Sequence, residues 1–360
     1  MCSFVVFSSD NLSLSDLSKA LKKVYHRGPD NNYLAIENGL LWGFNRLSIM
    51  DLSSNGNQPF KYDSCELVCN GEIYNYNSFK KLLSQEYIFH SNSDCEVLIP
   101  LYLKYGIEIM CKMLDAEFAL VLYDSKDNSI MAARDPMGIR PMFYGYTKKD
   151  HKISFASEAK ALIDYCDDIM PFPPGHYYKD GKFTCYNDLS NTKFINNDNL
   201  NTIFTNIRTK LISAVEKRLH ADAPIGYLLS GGLDSSLVCS IAQRMIKDPI
   251  KTFAIGMDTD PIDLKYAKQA ADYLGTDHTE VIINKNDVLK TLDEVIYHLE
   301  TFDITTIRAS IGMYLLCKYI HENTTLKVIL TGEVSDELFG YKYTDLSLIH
   351  ISEPTRQEAI

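Results

Sequence analysis

Cys2 stands one peptide bond from the initiator methionine. Removal of Met1 would leave a residue with a thiol and a free amine on adjacent carbons. Such a residue holds a nucleophile and a base together, because an α-amine titrates near ~7.7–8.0 and a useful fraction is neutral at physiological pH. Attack of the thiol on a carboxamide creates an oxyanion, which requires fixed donors. The stretch CNGEIYN supplies two: the Asn70 side-chain amide and the Gly71 backbone N–H. An α-amino-acid substrate also needs a cation for its carboxylate and an anion for its ammonium. Arg46, in NRLSIMD, can meet the carboxylate with a bidentate fork, and Glu72 and Asp94 can meet the ammonium. Each residue also has a plain structural reading. Asn70-Gly71 is a common hairpin turn, Asp94 after Ser93 is a natural helix N-cap, and Arg46 suits a surface ion pair.

A second centre lies in the other half of the chain. Ser230-Gly231-Gly232-Leu233-Asp234-Ser235-Ser236 follows the apolar run IGYLL and precedes LVCSIA. Strand, glycine-rich turn and helix in that order let the backbone approach an anion at a helix N-terminus. The serines add hydroxyl donors, and Asp234 sits in the first helical turn. No Gly-Lys-Ser/Thr follows at the spacing of a Walker A loop. The plain reading is an ordinary βα turn, with Asp234 complementing the helix dipole. A further loop, Thr331-Gly332-Glu333-Val334-Ser335-Asp336-Glu337, follows the apolar run KVIL.

The elements that must carry these groups differ between the halves. The first half has short alternating runs that predict strands at 65–69, 118–124 and 152–156. Apolar spacing predicts helices over Ser15–Tyr25 and Asp94–Tyr105. This mix predicts an α+β layered domain over residues 1–190. The polar stretch from 187 to 201 reads as a linker, placed at 191–201. From residue 202, helical patterns alternate with buried runs at 225–229, 252–256 and 327–330. That alternation predicts a parallel sheet with helices on both faces, over 202–345.

Composition narrows the function classes. The 360 residues are 46% hydrophobic and 23% charged with net charge −11, which argues against a broad nucleic-acid footprint. No run reaches the ~20 apolar residues that span a bilayer, and the first residues show no secretory pattern. Nine cysteines are scattered without zinc-ligand spacing, as expected of reduced thiols in a cytoplasmic protein.

MCSF, HRGPD, RLSIMD, NGEIYN and SDCE together resemble the signature set of class II glutamine amidotransferase domains, of the N-terminal-nucleophile (αββα) fold. The match extends to about residue 180 through RDPMGIRP and ASEAK. The resemblance implies Cys2 as nucleophile, Asn70 and Gly71 as oxyanion hole, and glutamine contacts from Arg46, Leu47, Ile49, Met50, Asn70, Gly71, Glu72 and Asp94. SGGLDSS resembles the pyrophosphate loop of ATP-pyrophosphatase (adenine nucleotide α-hydrolase-like) enzymes, which cleave ATP to AMP and pyrophosphate with magnesium. That resemblance places Leu229, Ser230, Gly231, Gly232, Asp234, Ser235, Ile255, Thr331 and Gly332 at ATP. It gives Glu333 a part in forming an acyl-adenylate, and Asp234 and Asp336 the Mg²⁺. Val334 stands where that pattern has glycine; if the position needs positive φ, a β-branched residue is strained there. Tyr341-Lys342-Tyr343 also lacks a usual second glycine. DITTIRAS, 303–310, is similar to the stretch preceding this loop, with Arg308 read either as an aspartate or loop partner or as a structural pair.

Glutaminase centre first and pyrophosphate loop second, the order resembles the glutamine-hydrolysing asparagine synthetase family. This implies ATP, aspartate and glutamine as substrates, a β-aspartyl-adenylate attacked by ammonia, and pairing as a homodimer, with neither nucleic acid nor membrane as partner. SGGLDSS argues against amidophosphoribosyltransferase and glucosamine-phosphate synthase, and Cys2 against the β-lactam-forming relatives. The final fifteen residues, LSLIHISEPTRQEAI (346–360), fit neither domain. Up to Arg356 they resemble the translation of a transposase adapter used in DNA sequencing, so 346–360 is read as a non-native tail and the second domain as incomplete. The alternatives are a glutaminase alone or a non-catalytic glutamine- or nucleotide-binding remnant.

Overall fold

The computed structural model describes residues 1–189, 191, 197–259 and 261–339, without the side chains of Asp336 and Glu337. The metal role expected of Asp336, most of the expected linker, Tyr341–Tyr343 and the tail at 346–360 therefore lie outside the described residues. The chain divides into two units: Met1–Ile203 with Ala221–Ala223, and Phe204–His220 with Pro224–Ile360.

Among the described residues the first unit holds twelve strands. They are β1 (Ser3–Phe7), β2 (Asn31–Glu37), β3 (Leu40–Arg46), β4 (Phe60–Tyr62), β5 (Cys65–Ile73), β6 (Ala116–Asp124), β7 (Ser129–Arg134), β8 (Phe143–Thr147), β9 (Ile153–Ala156), β10 (Cys166–Pro171), β11 (His176–Lys179) and β12 (Lys182–Cys185). They form two six-stranded antiparallel sheets, ordered β10-β8-β9-β1-β3-β2 and β12-β11-β7-β6-β5-β4. Side chains alternate across a strand, and here both faces are covered. Phe4, Val6, Trp42 and Phe44 of one sheet pack with Val68, Val121 and Ala132 of the other in a shared core. On the outer face of the first sheet, Val5 and Phe7 meet Leu17 and Leu21 of helix α1 (Leu14–Lys22). On the outer face of the second, Leu67, Leu120 and Leu122 join Phe79 and Leu83 of α2 (Tyr76–Leu83) and Leu98 and Leu101 of α3 (Leu98–Met113). Helix, sheet, sheet and helix stack in four layers, the αββα arrangement expected.

Local chemistry moves two helix boundaries from their expected places. Ser13 caps α1 in a reciprocal capping box with Asp16, so the helix starts one residue before Ser15 and ends at Lys22, ahead of a 3₁₀ turn at Tyr25–Arg27. Residues 95–97 form a 3₁₀ turn, and α3 then runs to Met113 across a kink where Gly106 adopts φ 76°. α4 (Leu200–Arg218) begins inside the segment expected to be linker.

The second unit contains a four-stranded parallel sheet. β13 (Ile225–Leu228), β14 (Lys251–Met257), β15 (Asp277–Ile283) and β16 (Val328–Leu330) lie in the order β15-β14-β13-β16. Between them run α5 (Leu233–Met245), α6 (Ile262–Leu274), α7 (Lys285–Leu299) and α8 (Ile304–Asn323); α9 (Ser335–Phe339) follows β16. Val215 of α4 with Cys239 and Ala242 of α5, and Leu316 and Ile320 of α8, belong to two separate apolar clusters of the sheet. Among the described residues no helix is long and apolar enough to cross a membrane.

Candidate active sites

In the first unit, every residue expected at glutamine borders one cavity of about 40 Å³. Cys2, Arg46, Leu47, Ile49, Met50, Asn70, Gly71, Glu72 and Asp94 line it, together with Met1, Gln58, Cys69, Cys95 and Arg140. The two-sheet core brings the distant segments together. Cys2 precedes β1 and packs against the inter-sheet core, and Arg46 ends β3. Asn70 and Gly71 lie within β5, paired with Ala119 and Phe118 of β6, and are not a hairpin turn. A side chain at Gly71 would put its Cβ 2.8 Å from the Glu117 carbonyl oxygen and 3.0 Å from Cys69 Sγ, so only glycine fits. Asp94 does not cap with its side chain; its carboxylate accepts the Ile73 N–H at 2.6 Å, tying it to the end of β5.

The polar inventory of this cavity is uneven. Cys2 Sγ accepts from the Leu47 N–H at 3.4 Å and lies 3.6 Å from the Leu47 carbonyl. Burial pushes its thiol pKa up, so the resting sulfur holds its proton and needs a base. Burial also lowers the Met1 amine to about 5. Asn70 is 2% exposed, and its Nδ2 has no hydrogen-bond partner. A buried unpaired amide donor costs about 1–3 kcal/mol, and it points to a ligand as its acceptor. Burial, then the charge of Asp94, pushes the Glu72 carboxyl well up, and burial raises Asp94 itself. Two such carboxylates prefer a cation between them.

Arg46 behaves differently from expectation. Its Nη1 donates to Ser53 O and Asn57 Oδ1, each at 2.7 Å, and its Nη2 to Met50 O at 3.2 Å and to Asp51 O. The fork therefore shapes the 50–53 turn. Arg140, which the motif reading did not single out, borders the same cavity with a buried, unpartnered Nε. Its Nη2 lies 3.4 Å from Glu117 Oε2. Gln58 was also missed: its side-chain amide bridges the N–H and C=O of Cys69 in the middle of β5, at 2.6 and 3.0 Å. Neither residue has a local spacing signal; both are placed by long-range folding.

In the second unit, a separate cavity of about 410 Å³ lies at the C-terminal ends of β13, β14 and β16. Leu229, Ser230, Gly232, Asp234, Ser235, Ile255, Thr331, Gly332 and Glu333 line it. Its size is in the range of cavities that hold small organic ligands. Gly231 does not line it. At φ 80° its bare Cα faces the α6 backbone, where a Cβ would fall 2.3 Å from the Tyr266 carbonyl carbon. Gly232 caps α5 without a side-chain bond, which leaves the first-turn amides for an anion. Ser230 Oγ and Ser235 Oγ lie 2.9 Å apart and brace the turn. Ala309, Gly312, Met313 and Leu316 present one face of α8 to the cavity, but Arg308 is not among its lining residues. Asp263, in the first turn of α6, adds a carboxylate that motif reading missed. Val334 adopts φ 74°, the left-handed conformation that glycine would accept without strain.

The chain resembles known proteins in both units. Residues 1–178 match the glutamine amidotransferase domain family, and residues 206–356 match the asparagine synthase family. A probable glutamine-hydrolysing asparagine synthetase of Acanthamoeba polyphaga mimivirus is 39% identical over 370 aligned residues, covering 94% of this chain and 67% of that protein. The asparagine synthetase of Cricetulus griseus is 40% identical, with 95% and 67% covered. The chain belongs to the glutamine-hydrolysing asparagine synthetase family. This is a family of carbon–nitrogen ligases, and both of its characteristic domains are present here. The asparagine synthetase of Zea mays is also 40% identical, and this chain spans 60% of its length.

Proposed function

We propose that this chain makes asparagine from aspartate, glutamine, ATP and water, releasing AMP, pyrophosphate and glutamate. The observation that carries the reading is the unpartnered, buried Asn70 Nδ2 in the cavity that holds the Cys2 thiol. With Met1 removed, the Cys2 amine takes the thiol proton and the sulfur attacks the glutamine carboxamide carbon. Asn70 Nδ2 and the Gly71 N–H hold the resulting oxyanion. The C–N bond breaks, the proton leaves with ammonia, and water hydrolyses the thioester to glutamate. Glu72 and Asp94 hold the substrate ammonium. Arg46 acts on glutamine indirectly, through the 50–53 turn it shapes beside Ile49 and Met50.

In the second site, ATP lies with its phosphates against Ser230, Gly232, Ser235 and the α5 N-terminus, and its adenine beside Leu229 and Ile255. The aspartate side-chain carboxylate attacks the α-phosphorus and pyrophosphate leaves. Ammonia then attacks the acyl carbon, and AMP leaves. Thr331 and Gly332 contact the nucleotide, and Glu333 supports adenylate formation. Mg²⁺ would neutralise phosphate charge. The described residues contain no cluster of three metal-ligating side chains, yet magnesium on a nucleotide needs only one or two carboxylates. Asp234 borders the cavity and fits that need. The working form is a cytoplasmic enzyme that pairs as a homodimer.

A second reading, hydrolysis of glutamine with little asparagine, is favoured by Val334 at φ 74° in the adenylating loop. Glutamate release and asparagine formation, measured side by side in wild type and Cys2→Ala, separate the two. We expect Cys2→Ala to lose at least about 10³-fold in glutamate release and to keep ammonia-dependent asparagine formation. Equal glutamate release in both proteins defeats both readings. Glutamate release without asparagine from either nitrogen source selects the second.

A further inference from the structure

The turn that presents Ile49 and Met50 to the glutamine cavity is strained at its end. Asp51 is buried and adopts φ 51°, outside the conformations most side chains prefer. Three groups hold it there. Arg46 reaches its carbonyl, the Asn92 N–H donates to its Oδ2 at 2.7 Å, and its own N–H donates to Asp222 Oδ2 at 2.8 Å. The same short segment grips the turn twice more: the Asp222 and Ala223 N–H groups both donate to Ile49 O at 3.1 Å.

Asp222 is unusual in its origin. It lies 171 residues from Asp51 and outside the amidotransferase match, which ends at residue 178. Ala221–Ala223 belongs to the first unit, although the residues before and after it, His220 and Pro224, belong to the second. Only Ala223 and Pro224 separate Asp222 from β13, the strand that leads into Ser230-Gly231-Gly232. The hydrogen bonds run to both peptide groups between Ile49 and Asp51, and none reaches a cavity-lining side chain directly.

The geometry points to Asp222 as a positioning residue for glutamine binding. It is supplied by the synthetase stretch of the sequence and sets the Ile49–Asp51 turn that forms one wall of the amidotransferase cavity. It touches no reacting atom and acts through the Asp51 N–H. This rests on the reading of that cavity as the glutamine site. Its loss should weaken glutamine binding while the nucleophile and oxyanion donors, carried by the chain start and β5, stay in place.

The test uses the full chain as wild type, Asp222→Ala and Asp222→Asn. Glutamate release gives KM and kcat, iodoacetamide alkylation of Cys2 reports the thiol, and hydrogen exchange of the 47–53 peptide reports the turn. Asp222→Ala should raise KM for glutamine roughly tenfold, the loss expected for one charge-assisted hydrogen bond, with kcat within about twofold. Asp222→Asn still offers a side-chain oxygen to the Asp51 N–H and should recover most of that loss. Alkylation should be unchanged in all three, and exchange of the 47–53 peptide faster in Asp222→Ala alone. An unchanged KM overturns the assignment, as does a matching fall in alkylation and turnover, the mark of a general loss of structure. If the wild type releases no glutamate, the reading of the cavity fails instead. Exchange still decides the contact: unchanged exchange in Asp222→Ala overturns it.

Discussion

The two candidate sites are built by opposite means. The first lies inside two sheets covered on both faces, and its key groups sit on strands whose neighbours fix them. Asn70 and Gly71 are held by β6 on one side, and Asp94 by the end of β5. The cavity is about 40 Å³ with Met1 among its walls, room for about one water. The second site is made of turns at strand ends, with about 410 Å³ of space and one β-branched residue in a left-handed conformation. It is thinly covered: only Val215 is buried in α4, Tyr273 of α6 is 90% exposed, and Phe302, between α7 and α8, is 93% exposed. A strand-borne site stores its cost as an unpaired donor, and a loop-borne site stores it as backbone strain.

The largest test of this contrast is Asn70→Ala. If the orphaned Nδ2 waits for an oxyanion, kcat for glutamate release should fall about 10²–10³-fold with little change in KM. Stability should drop by no more than about 1 kcal/mol, because that donor has no partner in the folded chain to lose. A large fall in thermal stability with modest kinetic loss would make Asn70 a scaffold residue and remove the contrast.

The next effect concerns the charge network behind Cys2. Burial alone would raise the Glu158 carboxyl, but His26, Lys160 and Arg27 outweigh it and hold the group at about 2. Arg27 Nη1 lies 2.9 Å from Glu158 and Arg27 Nε donates to the Cys2 carbonyl at 3.1 Å, so the network reaches the backbone of the nucleophile itself, just before β1. A depressed folded pKa gives stability that is present above the ordinary value, 4.5, and lost as pH falls toward 2. Glu158→Gln should cost about 3 kcal/mol at neutral pH and flatten acid unfolding between those values. The change belongs to the first unit; a matching shift in unfolding of the second would break the separation.

How much of this was legible in the sequence follows from the range of the interactions. Cys2, Asn70, Gly71 and Glu72 declare themselves by type and local spacing, as does the strand–turn–helix around Gly232. An α+β layered domain follows from the short strand runs and helical spacing, and the αββα stacking follows from the family resemblance alone, because β1 and β3 are buried on both faces and carry no alternation. Arg46 was assigned a substrate fork because its partners, from Met50 to Asn57, are backbone and amide oxygens that leave no mark in composition. Asp94 resembled a cap because Ser93 precedes it, but the competing acceptor need of Ile73 N–H arises only once β5 is formed. Arg140, Asp263 and Asp222 were invisible for the same reason: each is placed by chain folding and not by a neighbouring residue. The start of α1 was readable and missed, since Ser13 and Asp16 stand three apart in a capping box.

The smallest effect sharpens the comparison most. An L-residue in the left-handed region costs about 1–2 kcal/mol, and a β-branched one is an outlier there. Val334 is held at φ 74° by its neighbours: Glu333 N–H donates to Thr331 Oγ1 at 3.3 Å and Ser335 Oγ to Gly332 O at 2.9 Å. Val334→Gly relieves the strain but gives the unfolded chain extra freedom worth about 0.4–1 kcal/mol. The net gain should be about 0.5–1 kcal/mol, a rise of about 1–4 °C in the melting of the second unit, with glutamate release unchanged. Ammonia-dependent asparagine formation should rise in the same variant if the strain displaces Thr331 and Glu333 from their working positions. A fall in Tm would show instead that the neighbouring bonds, and not the residue type, set this loop, and the two sites would then differ in openness alone.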